Sequence, residues 1–141
     1  MPDPHAKIRV LHVDDNQGVA DALRMKLSRE VAFEWMGWIE RADTMIEAAT
    51  SAQASVVVVD LDMPGGDPLA AIRELAEAHP QIRVVVFTGH VHADNVERAL
   101  NAGAWGYASK NDGEDELVEI LRSVAIGQVR LSSEARVVYG S

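Results

Sequence analysis

Residues 56–66 read VVVVDLDMPGG, and this stretch decides how the rest of the chain is assembled. Four consecutive β-branched residues, Val56 to Val59, favour an extended strand. They show no polar alternation, so both faces of that strand have to be covered, as at the centre of a parallel sheet. The strand delivers Asp60 and Asp62 into a turn marked by Pro64, Gly65 and Gly66. An apolar strand ending in Asp-x-Asp points to phosphate chemistry on a carboxylate. It leaves open which aspartate reacts, and whether the phosphate is hydrolysed or kept.

Outward from this stretch, strand-like and helix-like segments alternate. Ile8 to Val13 is a short apolar run that ends in the pair Asp14-Asp15. From Asn16 the period turns helical, with Val19, Leu23, Leu27 and Val31 spaced by four. Phe33 to Ile39 is a second strand candidate, with Trp35 and Trp38 expected as packing, edge or interface residues. Thr44 and Glu47 have the spacing of a capping box ahead of a helix. Asp67-Pro68 suits the N-cap and first turn of a helix carrying Leu69, Ile72 and Leu75. Ile82 to Phe87 is a further apolar strand, ending at Thr88-Gly89, and a helix through Val96, Ala99 and Leu100 stops at Gly103. Trp105 to Ser109 is the fifth strand, followed by Lys110. Leu117, Ile120, Leu121, Val124 and Ala125 then mark a last amphipathic helix. Such alternation implies right-handed crossovers and a parallel sheet with helices on both faces. The residues after Gly127 show no compelling period.

Bulk properties narrow the function classes. At 141 residues the chain fits one domain, and 48% hydrophobic with 25% charged residues is a globular, not a disordered, composition. A net charge of −9 repels nucleic acid and anionic membrane, which argues against direct nucleic-acid or membrane binding by this segment. No cysteine is present, which excludes disulfides and thiolate zinc sites and suits a cytoplasmic location. The apolar runs are too short to span a membrane, and the N-terminal MPDPHAKIRV lacks a signal-peptide core.

In open α/β sheets, ligands bind beyond the carboxyl ends of the strands. That edge is expected to gather Asp14, Asp15, Asp60, Thr88 and Lys110. Each has an ordinary explanation alone: a helix cap, a loop hydroxyl, a solvated lysine. Together, three carboxylates in one cleft repel by roughly 4 kcal/mol per close pair at an effective dielectric near 20. They stay ionised only if cations offset the repulsion, and a hard ion such as Mg²⁺ together with the Lys110 ammonium would do so. A carboxylate beside such an ion, with a lysine and a hydroxyl ready for phosphoryl oxygens, is a plausible phosphoryl acceptor.

With these residues in place, the chain resembles a response-regulator receiver domain of two-component signalling over roughly residues 7–127. The run GAWGYASKND, and later ELVEILRSVAIGQVRLSSE, is similar to receivers of LuxR/NarL-type regulators with a helix-turn-helix output. The resemblance implies a flavodoxin-like doubly wound (βα)5 fold with a five-stranded parallel sheet in the order 2-1-3-4-5. It implies a receiver over 1–127 and a linker or short terminal element over 128–141, with no DNA-binding domain present. By the same resemblance Asp60 is the phosphoacceptor. Asp15 ligates Mg²⁺ directly, Asp14 helps through water, and Asp60 and the backbone carbonyl of Asp62 complete the metal ligands. Lys110 and Thr88 bind the phosphate, Tyr107 is the aromatic switch, and Gly89 is small where the phosphate approaches. Asp62 and His90 stand where side chains would tune hydrolysis of the acyl phosphate. A sensor histidine kinase is the implied partner, a homodimer an allowed assembly, and transcription the implied output. Two departures are visible: Asn111 intervenes before Asp112, and no proline follows Lys110.

Two other functions share parts of this pattern. Haloacid-dehalogenase-like phosphatases also begin with an apolar run and Asp-x-Asp, with Asp60 as nucleophile and Asp62 as acid/base. Here, however, the motif falls on the third strand, and Asp14-Asp15 would have no role. A binding-only pseudo-receiver would keep the fold without phosphotransfer, yet the acceptor set is complete. His90 and His92 have no third ligand in obvious reach and read as loop histidines.

Overall fold

A strand with apolar side chains on both faces needs neighbours on both edges and helices above and below. The computed structural model, which describes residues 6–140, places β3 (Val56–Val59) in that position, all four side chains buried. Part of the stretch read as free of a leader, residues 1–5, lies outside the described residues. β3 pairs in parallel with β1 (Ile8–Val13) on one edge and β4 (Arg83–Thr88) on the other. β2 (Phe33–Ile39) extends the sheet beyond β1, and β5 (Gly106–Ser109) extends it beyond β4.

Five helices fill the crossovers: α1 (Gln17–Ser28), α2 (Met45–Ser51), α3 (Pro68–Ala78), α4 (Ala93–Ala102) and α5 (Gly113–Ala125). Side chains alternate along each strand, so one strand feeds two cores. Val57, Val59, Val84 and Val86 pack with Ile72, Leu75 and Val96 on the α2–α4 side. Val56, Val58, Val85 and Phe87 pack with Leu23, Leu27, Leu117 and Leu121 between the sheet and α1 and α5. The fold is therefore the flavodoxin-like, doubly wound one that the resemblance implied.

The sheet has six strands in the order 2-1-3-4-5-6, one more than expected. β6 (Arg130–Leu131) pairs in parallel with Gly106 and Tyr107 of β5. A two-residue strand is too short to carry a period, which is why the pattern gave no sign of it. Gly106 permits the approach: a Cβ there would stand 3.2 Å from the Arg130 carbonyl oxygen and 2.9 Å from Ile120. The chain continues into α6 (Ser133–Gly140), which buries Ala135 and packs on α4 and β5.

Local signals fared unevenly. Asn16 caps α1 by accepting the Val19 N–H at 3.1 Å, and Asp67 caps α3 by accepting from Leu69 and Ala70. α1 ends at Ser28, so Val31 lies beyond it and is exposed rather than on the helix's buried face. The expected capping box at Thr44 does not form. Thr44 belongs to a 3₁₀ turn, Ala42–Thr44, and its hydroxyl donates back to the Arg41 carbonyl at 3.3 Å. Its backbone, at φ −108° and ψ 5°, is not the extended conformation that a capping side chain needs. No described helix is long and apolar enough to cross a membrane.

Gly103 closes α4 in the left-handed region at φ +115°, and a Cβ there would stand 2.6 Å from that of Ala76 on α3. Gly103→Ala is expected to cost about 2 kcal/mol through backbone strain and that clash. Urea unfolding should show a lower midpoint with an unchanged slope; an unchanged midpoint would contradict this account.

Candidate functional site

The carboxyl ends of β1, β3, β4 and β5 open on one edge, and the expected polar residues meet there. Asp14 is fully buried, with its N–H on the Ile39 carbonyl at 3.0 Å and its Oδ1 accepting the Asn16 N–H at 2.9 Å. Asp60 is 5% exposed; its N–H donates to the Val13 carbonyl at 3.0 Å, and its Oδ1 accepts the Asp62 N–H at 3.1 Å. The Lys110 ammonium lies between the two carboxylates, 2.9 Å from Oδ2 of Asp14 and 2.9 Å from Oδ2 of Asp60. Its hydrogen bond is aimed at Asp60, which leaves Asp14 Oδ2 in charge contact but without an aligned hydrogen bond. Asp15 is exposed and completes a group in which carboxylate oxygens of Asp14, Asp15 and Asp60 lie within 4.8 Å of one another.

The electrostatics follow from this crowding. Burial pushes the Asp14 carboxyl above its ordinary range, and the Asn16 hydrogen bond and Lys110 offset this only in part. Burial alone would lower Lys110, but its hydrogen bond to Asp60 and the Asp14 carboxylate in contact with it prevail and hold the ammonium above the ordinary lysine value. Three carboxylates facing one ammonium leave two negative charges uncompensated when all are ionised. Hard oxygen donors, an excess of negative charge and a buried Asp14 oxygen without a hydrogen bond all suit a divalent cation.

A second group adjoins the first. Thr88 is fully buried at the end of β4, and its hydroxyl accepts the His90 N–H at 3.3 Å. Gly89 is exposed, and a Cβ there would meet nothing within 4 Å, so the loop is open at that point. The Tyr107 ring is fully buried, and its hydroxyl donates to the His90 carbonyl at 2.9 Å. Burial, helped by the charges of Asp62 and Asp60, raises the phenol further, so it stays a donor. The His90 imidazole contacts the Asp62 carboxylate through Nδ1, two residues along from Asp60. The group among the described residues that could hold a cation does not include His90 or His92.

The chain matches the response regulator receiver domain family over residues 10–122. It belongs to that family. Response regulator GacA of Pseudomonas protegens is 35% identical over 127 residues, which span 90% of this chain and 60% of the relative. Response regulator UvrY of Escherichia coli is 29% identical over 127 residues, 90% of this chain and 58% of the relative. The chain thus spans about 60% of the length of the GacA relative it matches. In fold it is similar to a LuxR-family two-component response regulator from Aurantimonas sp. SI85-9A1, with a TM-score of 0.89 and 24% identity over 96% of both chains. It also resembles the isolated receiver of RcsB from Salmonella enterica serovar Typhimurium, with a TM-score of 0.85, 21% identity, and coverage of 94% of this chain and 98% of that one. The relatives and fold neighbours are regulators of the LuxR/NarL type, as the sequence resemblance implied. Membership of a signalling family replaces the phosphatase reading of Asp60 and Asp62.

Two residues at the site have contacts that the sequence did not point to, Trp38 having been expected only as a packing, edge or interface residue. His12, opposite Trp38 in the β1–β2 register, is fully buried with Nε2 at 3.7 Å from Asp14 Oδ2, and neither ring nitrogen is hydrogen-bonded. The Trp38 indole N–H donates to the Asp14 carbonyl. His12 shares a strand face with Val10, a signal that could place it in the core but that does not link it to the acids. The C-terminal segment also reaches this edge. Ser132 accepts the Ser109 N–H at 3.0 Å, Glu134 accepts from the Ser109 hydroxyl at 3.1 Å, and Asp112 accepts the Glu134 N–H at 2.9 Å.

Burial first, then the Lys110 ammonium, lowers the His12 pKa from 6.5 to about 4, against a weaker opposing pull from Asp60. The imidazole is therefore neutral in the fold at a pH where the unfolded chain already binds a proton. Its contribution is fully present above about pH 6.5 and is lost as pH falls toward 4, a loss on the order of 3 kcal/mol. In urea unfolding of the protein with chelator present, His12→Leu should flatten the stability decline across that window. An unchanged decline would contradict it.

Proposed function

We propose that this receiver accepts a phosphoryl group on Asp60 from the phosphohistidine of a sensor histidine kinase, and that the phosphate is kept as a signal. The carrying observation is the Lys110 ammonium held 2.9 Å from both Asp60 and Asp14. That contact supports the reading, because it sets a cation that could take up phosphoryl oxygens directly beside the Asp60 carboxylate. An Asp60 oxygen attacks phosphorus, the O–P bond forms, and the P–N bond breaks with its electron pair leaving on the imidazole.

Asp14, Asp15, Asp60 and the backbone carbonyl of Asp62 would hold Mg²⁺, whose charge would offset the phosphoryl oxygens as the transfer proceeds. Asp14 stays behind Lys110 and keeps the ammonium aimed at Asp60. Thr88 donates its hydroxyl to a phosphoryl oxygen, and Gly89 leaves the approach open. Tyr107 already lies inside, bonded to the His90 carbonyl, so phosphorylation would lock this ring rather than bring it in. Asp62 and His90, in contact at the mouth of the pocket, would set how readily water reaches the acyl phosphate.

The output surface in this reading is α4, β5 and α5. α6 already seats there through Ser109 and Asp112, on either side of Lys110 in sequence, so a shift of Lys110 would reach α6 directly. A partner domain or a second copy would read that change. RcsB, a fold neighbour, forms DNA-bound dimers, and the relative DegU of Brevibacillus brevis is a transcriptional regulatory protein. Transcriptional output, a homodimer and a cytoplasmic setting beside the kinase are parts of the same proposal. With a net charge of −9, this segment would leave nucleic-acid binding to another domain.

With a small-molecule phosphodonor and Mg²⁺, the chain should take up stoichiometric phosphate that is lost on chelation of the metal before the donor is added. Asp60→Asn should abolish uptake; continued uptake would move the acceptor elsewhere, and steady turnover would restore the phosphatase. Exchanging both Asp62 and His90 should change the dephosphorylation rate by about tenfold, or some 1.4 kcal/mol in barrier. An unchanged rate would remove those two side chains from the mechanism.

A further inference from the structure

β2 reaches the acidic site through an irregularity. The register runs Ile8 opposite Phe33 and Val10 opposite Trp35, but Leu11 is opposite Gly37, so Met36 is an extra residue. Gly37 absorbs the bulge in the left-handed region, at φ +135°. Trp35 and Trp38 are three residues apart, an offset that sends side chains to opposite faces of an unbroken strand. The bulge instead pairs Trp35 with Val10 and Trp38 with His12, which share one face of β1. The His12 ring meets the edge of Trp35 with centroids 5.9 Å apart, as that common face requires.

From this position the Trp38 indole N–H donates to the carbonyl of Asp14. That carbonyl and the N–H of Asp15 belong to one rigid peptide plane. Asp14 is itself fixed at three further points: the Ile39 carbonyl, the Asn16 N–H and Lys110. Asp15 is exposed, and among the described residues its carboxylate has no hydrogen bond or ion pair. The 14–15 peptide plane, whose carbonyl Trp38 holds, therefore fixes where the Asp15 side chain leaves the backbone, within reach of Asp14 and Asp60.

We infer that Trp38 is a positioning residue for the cation site. It orients the 14–15 peptide so that the Asp15 carboxylate faces Asp14 and Asp60, and losing its N–H weakens divalent-cation binding. This rests on the reading of Asp14, Asp15 and Asp60 as a cation site.

The experiment uses Mn²⁺ alone as the probe, with free Mn²⁺ read by electron paramagnetic resonance in titrations of the whole chain. Trp38 is replaced by 3-benzothienylalanine, which keeps the ring shape and lacks the N–H, and separately by 7-azatryptophan, which keeps the N–H. Outer ligands of metal sites are typically worth tenfold or more, so the benzothienyl protein should bind Mn²⁺ about tenfold more weakly. The 7-azatryptophan protein should bind as the unaltered chain does. Thermal midpoints in chelator should stay alike, since packing is preserved. In an Asp15→Asn background the benzothienyl replacement should cause no further loss, because Trp38 acts through Asp15. Unchanged Mn²⁺ affinity, or a loss that adds fully to that of Asp15→Asn, would overturn the inference. Absence of Mn²⁺ binding by the unaltered chain would overturn the cation-site reading, and this inference with it.

Discussion

The Lys110 ammonium, shared between Oδ2 of Asp14 and Oδ2 of Asp60 at 2.9 Å each, is the contact on which the rest of the site depends. It joins the ends of β1, β3 and β5, which are far apart in sequence and reach one edge only because the sheet is parallel in the order 2-1-3-4-5-6. Without an ammonium there, two buried carboxylates would face each other at a cost of several kcal/mol, and at least one would protonate. With it, the two carboxylates share one counter-charge, while Asp14, whose Oδ2 has no aligned hydrogen bond, stays open to a further cation.

The sheet supplies the rigidity that this contact needs. The side chains of β3 are buried on both faces, so Asp60 leaves the sheet from a segment that has no freedom to shift register. Asp14 is tied to the neighbouring strand through the Ile39 carbonyl. Lys110 follows β5, whose outer edge is closed by β6 and whose flanking residues hold α6 through Ser132, Glu134 and Asp112. The strand end that carries Lys110 is thus bonded to the C-terminal segment, which puts the acidic site and a candidate output surface within one hydrogen-bonded layer.

The legible parts of the chain were those in which one residue type answers one local demand. Val56 to Val59 allow only a doubly covered strand, Asp67-Pro68 allows a helix start, and Gly103 supplies a left-handed stop. Asp14, Asp60, Thr88 and Lys110 were legible for a different reason: each directly follows or ends an apolar run, and a parallel sheet brings such ends to one edge. What stayed hidden depends on contacts without a period. β6 is two residues long and exists because Gly106 lets the Arg130 backbone come close. Trp38 looks like an edge residue until a bulge at Met36–Gly37 turns it toward Asp14. Thr44 has the capping spacing, but a preceding 3₁₀ turn denies it the capping conformation. His12 appears as a core position, and only the fold shows that its ring lies beside an aspartate.

Family membership explains why these strand ends carry these residues, and the proposed chemistry assigns the attack to one residue, Asp60. The direct measurement is borohydride trapping of the phosphorylated chain, followed by peptide mass analysis. Reduction of an aspartyl phosphate converts that residue to homoserine. The account predicts homoserine at position 60 and at no other aspartate, formed only when phosphodonor and divalent cation are both supplied. Homoserine at position 14, 15 or 62, or none after demonstrated phosphate uptake, would contradict it.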